Sequence, residues 1–196
     1  VVQQAVQGEE RRIGTEHRPS LIGQLGGPRP AEPRTIAGRT ASDVPGLDIG
    51  ELRSWQNFLD ASLRLTARIN RELSDAHQIG LSDVRLLHRL QKSEGGAARM
   101  GDLADALVVS ASRISRQVGR LETKGLAKRM PSEKDGRSVL AVITDRGRGL
   151  LGAAMITYGD AIRTHYLQQL SRPQTAAMAE NCRRINAALL HDDSAL

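Results

Sequence analysis

Between Asp102 and Thr144 the chain reads as a short helix, a turn, a second helix and a hairpin, and this order restricts the fold more than any other feature. Asp102–Leu107 is the short helix and Val108–Ser110 the turn. The second helix spans about Ala111–Lys124, with Ile114, Val118 and Leu121 as its buried stripe. Gly125 stands where a glycine closes a helix. Leu126–Met130 and Ser138–Ile143 are short β-compatible runs. The segment between them supplies Pro131, Asp135 and Gly136 for a tight turn. A short helix, a turn, a longer helix and a two-stranded hairpin make a winged helix-turn-helix.

Charge singles out the same region. Residues 113–148 carry ten Lys or Arg against four Asp or Glu, and the rest of the chain is balanced. The whole formal net charge of +6 therefore arises in that stretch. A basic helix beside a basic hairpin suits a polyanion. Aromatics are scarce, with Trp55, Phe58, Tyr158 and Tyr166 as the full set. This argues against single strands held by base stacking. A duplex read by side chains on a helix needs no aromatics.

The flanks set the domain plan. Residues 1–47 hold five of the seven prolines, show no sustained periodicity, and read as a flexible Pro/Gly-rich extension. Residues 48–80 read as a dimerisation helix about 40 Å long. Its stripe is Leu52, Trp55, Leu59, Leu63, Thr66, Ile69 and Leu73. Gly80 breaks it, and Ser82 is the expected N-cap of the next helix, which has Val84, Leu87 and Leu90 inward. The DNA-binding domain is expected over 81–144. Residues 145–196 read as two further dimerisation helices. The first is capped by Thr144 and runs to about Leu170; the second opens at the Ser171–Gln174 capping box. The predicted class is mainly α with a small β-hairpin wing, with long terminal helices whose apolar faces a second copy would cover.

Several residues carry the expected chemistry. With Ile114 and Val118 inward, Ser110, Ser112, Arg113, Ser115, Arg116 and Arg120 fall on or near the outward face of the second helix. Arg can read guanine bidentately in the major groove, and Ser can take phosphates or base edges. A solvated basic face is the common reading of such a helix. The helix and turn before it and the hairpin after it favour a DNA-facing one. Arg137, near the hairpin tip, can enter a narrow minor groove. Asp135 is assigned to orient it, while Lys134, Lys128 and Arg129 would add phosphate contacts.

Read together, Leu103-Ala104, Leu107, Ser110-Ala111-Ser112, Ile114-Ser115-Arg116, Leu121-Glu122, Lys124-Gly125-Leu126, Arg129, Asp135, Arg137, Ile143-Thr144 and Gly147 resemble the multiple-antibiotic-resistance regulator (MarR) family. The likeness covers about residues 50–190. It implies a winged-helix homodimer held by terminal helices, with Ser110 to Arg116 on the recognition helix and Arg137 at the wing tip. It also implies a sequence-specific regulator, a repressor relieved by a small effector bound between the dimer arms and the DNA-binding lobe. Here that points to Trp55, Leu59 and His88. The chain departs from the family in Ala127, where a larger aliphatic is usual, and in its N-terminal extension.

Other readings weigh less. A non-specific architectural DNA-binding protein would share the fold, and a protein-interaction module would not need the charge concentration. No nucleophile–base set appears, so an enzyme is not expected. Gly147, Gly149 and Gly152 match a dinucleotide-loop spacing by letter, without the strand–helix–strand unit that motif requires. His17, His77, His88, His165 and His191 show no metal-ligand spacing, so neither metal nor cofactor is expected. Cys182 reads as a buried structural thiol. A lone cysteine, no apolar run of membrane-spanning length and no secretory pattern at residues 1–12 point to a cytoplasmic protein.

Overall fold

The computed structural model describes residues 35–36, 38–132 and 138–193, with side chains to residue 190. The chain divides into two compact units after Leu52.

Within the first unit, β1 (Thr35–Ile36) pairs antiparallel with β2 (Arg39–Thr40) across Gly38, whose φ of 78° suits glycine. The linker reading of residues 1–47 is therefore corrected over this piece. Residues 1–34 lie outside the described residues. Asp48 and Glu51 cap the helix that follows reciprocally. Glu51 N–H donates to Asp48 Oδ1 at 2.9 Å, and Asp48 N–H donates to Glu51 Oε2 at 2.9 Å. The Glu51 amide and the Arg39 guanidinium hold the Asp48 carboxyl below the usual carboxylate range.

Helix α1 (Ile49–His77) follows the expected stripe, but only Ile69 and Leu73 along it are buried. Trp55, Phe58, Leu59 and Leu63 are exposed, with no core packed over them among the described residues. Helix α2 (Leu81–Lys92) starts two residues earlier than Ser82 capping would require. Gly80 takes the N-cap position, and the free amides find other acceptors: Gly80 N–H donates to Asp83 Oδ2 and Leu81 N–H to Asn70 Oδ1.

After Gly95 and Gly96, both at positive φ, a short strand β3 (Ala97–Arg99) precedes α3 (Met100–Leu107) and α4 (Ala111–Thr123). The wing strands are β4 (Ala127–Pro131) and β5 (Val139–Ile143). The sheet order is β3-β5-β4, antiparallel throughout, so β5 is central. Strand β3 was not expected, since three residues are too short to show periodicity.

Helix α5 (Asp145–His165) begins at the Thr144 cap, whose Oγ1 accepts from Gly147 N–H at 3.0 Å. It ends before the expected Leu170. Tyr166 leaves helical geometry and a 3-10 turn covers Leu167–Gln169. Helix α6 (Arg172–Asp193) opens on the Ser171–Gln174 box, with Ser171 N–H donating to Gln174 Oε1 at 2.8 Å. Its stripe is uncovered: Met178, Ile185 and Leu189 are exposed. Cys182 is accordingly half-buried, not buried. The core lies under α2 to α5, where Leu73, Leu86, Leu87, Leu90, Leu103, Ile114, Leu121 and Leu151 are shut off from solvent. No helix among the described residues is long and apolar enough to cross a membrane.

Candidate nucleic-acid interface

Two helix ends of one design frame α4. At the end of α3, Val109 N–H donates to Ala104 O and Val108 N–H to Asp105 O, with Val108 at φ 55°. At the end of α4, Leu126 N–H donates to Leu121 O and Gly125 N–H to Glu122 O, with Gly125 at φ 67°. Both are Schellman closures, which turn the chain sharply without leaving carbonyls unpaired. The first sends the chain into α4 and the second into the wing.

Helix α4 buries Ile114, Gln117, Val118 and Leu121 and turns Ser112, Arg113, Ser115 and Arg116 to solvent. Arg113 and Arg116 hold no hydrogen bond or ion pair among the described residues. The first turn carries no acidic residue, so the positive end of the helix dipole stays uncompensated. Ser110 is the N-cap by backbone only: its carbonyl accepts from Arg113 and Ile114, while its hydroxyl lies 3.1 Å from that of Ser112.

Two of the basic residues meet acidic partners within the chain. Arg129, expected on phosphates, is a clamp between β4 and α4. Its Nη1 lies 2.9 Å from Glu122 Oε2, and its backbone N–H donates to Glu122 Oε1 at 2.8 Å. Its Nη2 donates to Ser115 O at 2.7 Å and Ser115 Oγ at 3.3 Å. Arg120 is exposed along its stem, but its tip turns back, Nη2 reaching Asp83 Oδ1 at 3.5 Å. Lys128 stays exposed on β4. Lys134, Asp135 and Arg137 lie outside the described residues.

The wing root is set tightly. Thr144 N–H donates to Leu126 O, and Thr144 Oγ1 donates to Gly125 O at 2.7 Å. A Cβ on Gly147 would overlap the Leu126 carbonyl, so α5 starts directly against the wing. This accounts for the first glycine of the letter match. Gly149 and Gly152 face open space and form no phosphate loop.

Of the residues assigned to an effector, Trp55 sits with Phe58, ring centroids 6.1 Å apart. Leu59 is half-exposed one turn from Trp55, and His88 is exposed on α2. No hydrogen bond or ring contact joins them to His88 among the described residues. Sequence reasoning passed over Asp83, Gln117 and Glu122. Gln117, one turn after Ile114 on the inward face, was the visible signal: a polar residue in a buried row needs a partner.

The sequence model of the MarR family matches residues 77–138, from the end of α1 through the hairpin. An uncharacterized HTH-type transcriptional regulator of Bacillus subtilis (strain 168), YxaD, is 35% identical over 96 residues, covering 49% of this chain. That alignment spans 59% of the relative's length. Among solved structures, AbsC, a MarR family transcriptional regulator from Streptomyces coelicolor, aligns at a TM-score of 0.71 and 26% identity, over 76% of this chain and 99% of its own. Sco3205, a MarR family regulator of the same organism solved in complex with DNA, aligns at 0.70 and 27%, over 73% of this chain and 93% of its own. The chain thus carries a match to the MarR family's sequence model across its helix-turn-helix and is similar in fold, over most of its length, to solved MarR family regulators.

Proposed function

We propose that the chain is a cytoplasmic transcriptional regulator that binds double-stranded DNA as a homodimer on an inverted repeat. The observation that carries the reading is α4: Arg113 and Arg116 project from its solvent face with no partner among the described residues, beside Ser112 and an N-terminus free of acid. Ser110 and Ser115 flank them. Arg113, Arg116 and Ser112 read base edges in the major groove, and Lys134, Asp135 and Arg137 work at the wing, with Arg137 in the adjacent minor groove. Two-fold symmetry sets the half-sites about one turn of DNA apart, roughly 34–36 Å. Repression relieved by a small effector near Trp55, Leu59 and His88 is the regulatory mode that the family likeness supports.

Arg116→Ala and Arg137→Ala separate this reading from a non-specific architectural one. Loss of Arg116 should weaken binding by about 1–3 kcal/mol and relax preference at one position of each half-site. Loss of Arg137 should act mainly through A·T-rich flanks. Titration of duplexes selected from a random pool, with unrelated DNA as competitor, measures both. Two variants that keep wild-type affinity, or a wild-type protein blind to sequence, would sink the reading.

A further inference from the structure

The later turns of α4 do a different job from the first. Gln117, Arg120 and Lys124 fall three and four residues apart, on one row of the helix. All three reach the junction of α1 and α2. Gln117 Nε2 donates to Asp83 Oδ1 at 3.2 Å, and Arg120 Nη2 donates to the same oxygen at 3.5 Å. Lys124 Nζ donates to the carbonyl of Gln78. The other Asp83 oxygen, Oδ2, accepts from Gly80 N–H at 3.4 Å.

The junction itself is fixed from the α1 side. Gln78 ends α1 in the left-handed region, at φ 58°, with its N–H donating to Ser74 O. Asn70 Oδ1 accepts from Leu81 N–H at 2.9 Å, and a Cβ on Gly80 would collide with that same oxygen. Asp83 and Gln117 are both buried. A buried carboxylate facing a buried amide adds little packing that an apolar pair would not supply, and removal of either strands the other. What such a pair adds is direction, because its hydrogen bonds hold at one angle and one register.

We propose that Asp83 is a positioning residue: through Gln117 and Arg120 it fixes the pose of α4 against the α1–α2 junction, so that Arg113 and Arg116 meet base edges in register. Arg120 then belongs to this latch and not to the DNA contacts. The inference rests on the reading of α4 as the DNA-reading helix. Leverage makes the pose matter. Arg113 and Arg120 are seven residues apart, about 10 Å along the axis, so a tilt of about 10° at the latch moves the reading end by about 2 Å. Bidentate recognition tolerates far less.

The test uses the full chain and DNA. Wild-type protein first selects its preferred duplex from a randomised pool. That duplex and a scrambled one are then titrated across salt with Asp83→Ala, Arg120→Ala and the double variant. Each single change should lower the preference for the selected duplex about tenfold, and the double should be no worse than the poorer single, because one contact is lost in all three. The salt slope of Arg120→Ala should equal that of wild type. A slope reduced by about one would place Arg120 on a phosphate and overturn the proposal. Additive effects, or an unchanged preference in both single variants, would overturn it too. If Asp83→Ala loses its cooperative melt, Asp83→Asn takes its place. It keeps the shape and one acceptor, and a smaller fall in preference is then expected, with an unchanged preference counting against the proposal. A wild-type chain that selects no duplex would instead remove the DNA-reading role of α4, and the latch with it.

Discussion

Val108 and Gly125 occupy equivalent positions in two helix closures, yet only one of them is glycine. A β-branched residue at φ 55° is strained, and left-handed geometry disfavours L side chains by about 1–2 kcal/mol. Val108 is also 87% exposed, so its side chain returns almost nothing through burial. Val108→Gly should therefore stabilise the fold by about 0.5–1 kcal/mol after the added freedom of the unfolded chain is set against the relief of strain. Thermal melting should rise by roughly 1–4 °C, and a lower midpoint would show that the valine has a contact worth more than its strain. At this scale the sequence announced the solvent face of α4 but not its clamps. Ser112, Arg113 and Arg116 were legible because periodicity sorts inward from outward residues. Arg120 and Arg129 were not, because the partners that claim them, Asp83 and Glu122, sit on other turns of the chain, and a long side chain can reach in several directions.

Elements were legible where a repeat of several turns or a strong cap marked them, as in α4, α5 and α6. They were illegible where three residues suffice, as in β3, whose pairing with β5 is decided by tertiary contact. The link between α1 and α5 was also hidden, because it joins residues far apart in the chain. His165 Nε2 lies 2.7 Å from Glu72 Oε1, Arg68 Nε donates to the same oxygen at 2.8 Å, and His77 Nε2 lies 2.8 Å from Thr157 Oγ1. Two of the five histidines that showed no ligand spacing, His77 and His165, thus find neighbours across the α1–α5 contact. His165, then Arg68, hold the Glu72 carboxyl below its ordinary range. A depressed carboxylate stabilises the fold above its unfolded pKa, about 4.3, and that contribution disappears as pH falls through the folded value. Glu72→Gln should accordingly melt lower than wild type near neutral pH, and the two curves should converge once the pH has fallen below the lowered folded value. A gap that persists at low pH would mean that the amide disturbs packing and that charge is not the cause.

Across the whole molecule, apolar side chains divide into those that found a core and those that did not. The residues under α2 to α5 found one. Trp55, Phe58, Leu59 and Leu63 on α1, and Ile185 and Leu189 on α6, did not. Burying a leucine or isoleucine fully is worth about 1.5–3 kcal/mol, so a handful of such positions is enough to drive association. Leu63→Glu combined with Ile185→Glu should give a monomer that still melts cooperatively, read by light scattering against a dimeric wild type. A wild-type monomer at micromolar concentration would remove the homodimer from the proposal. Gly147 acts on this same scale. The Leu126 carbonyl fills the space a Cβ would need, so the first turn of α5 is seated on the root of the wing. Any side chain at position 147 must part the two. Position 147 therefore joins the wing to the long helix through a single hydrogen, placed where every other amino acid has a carbon.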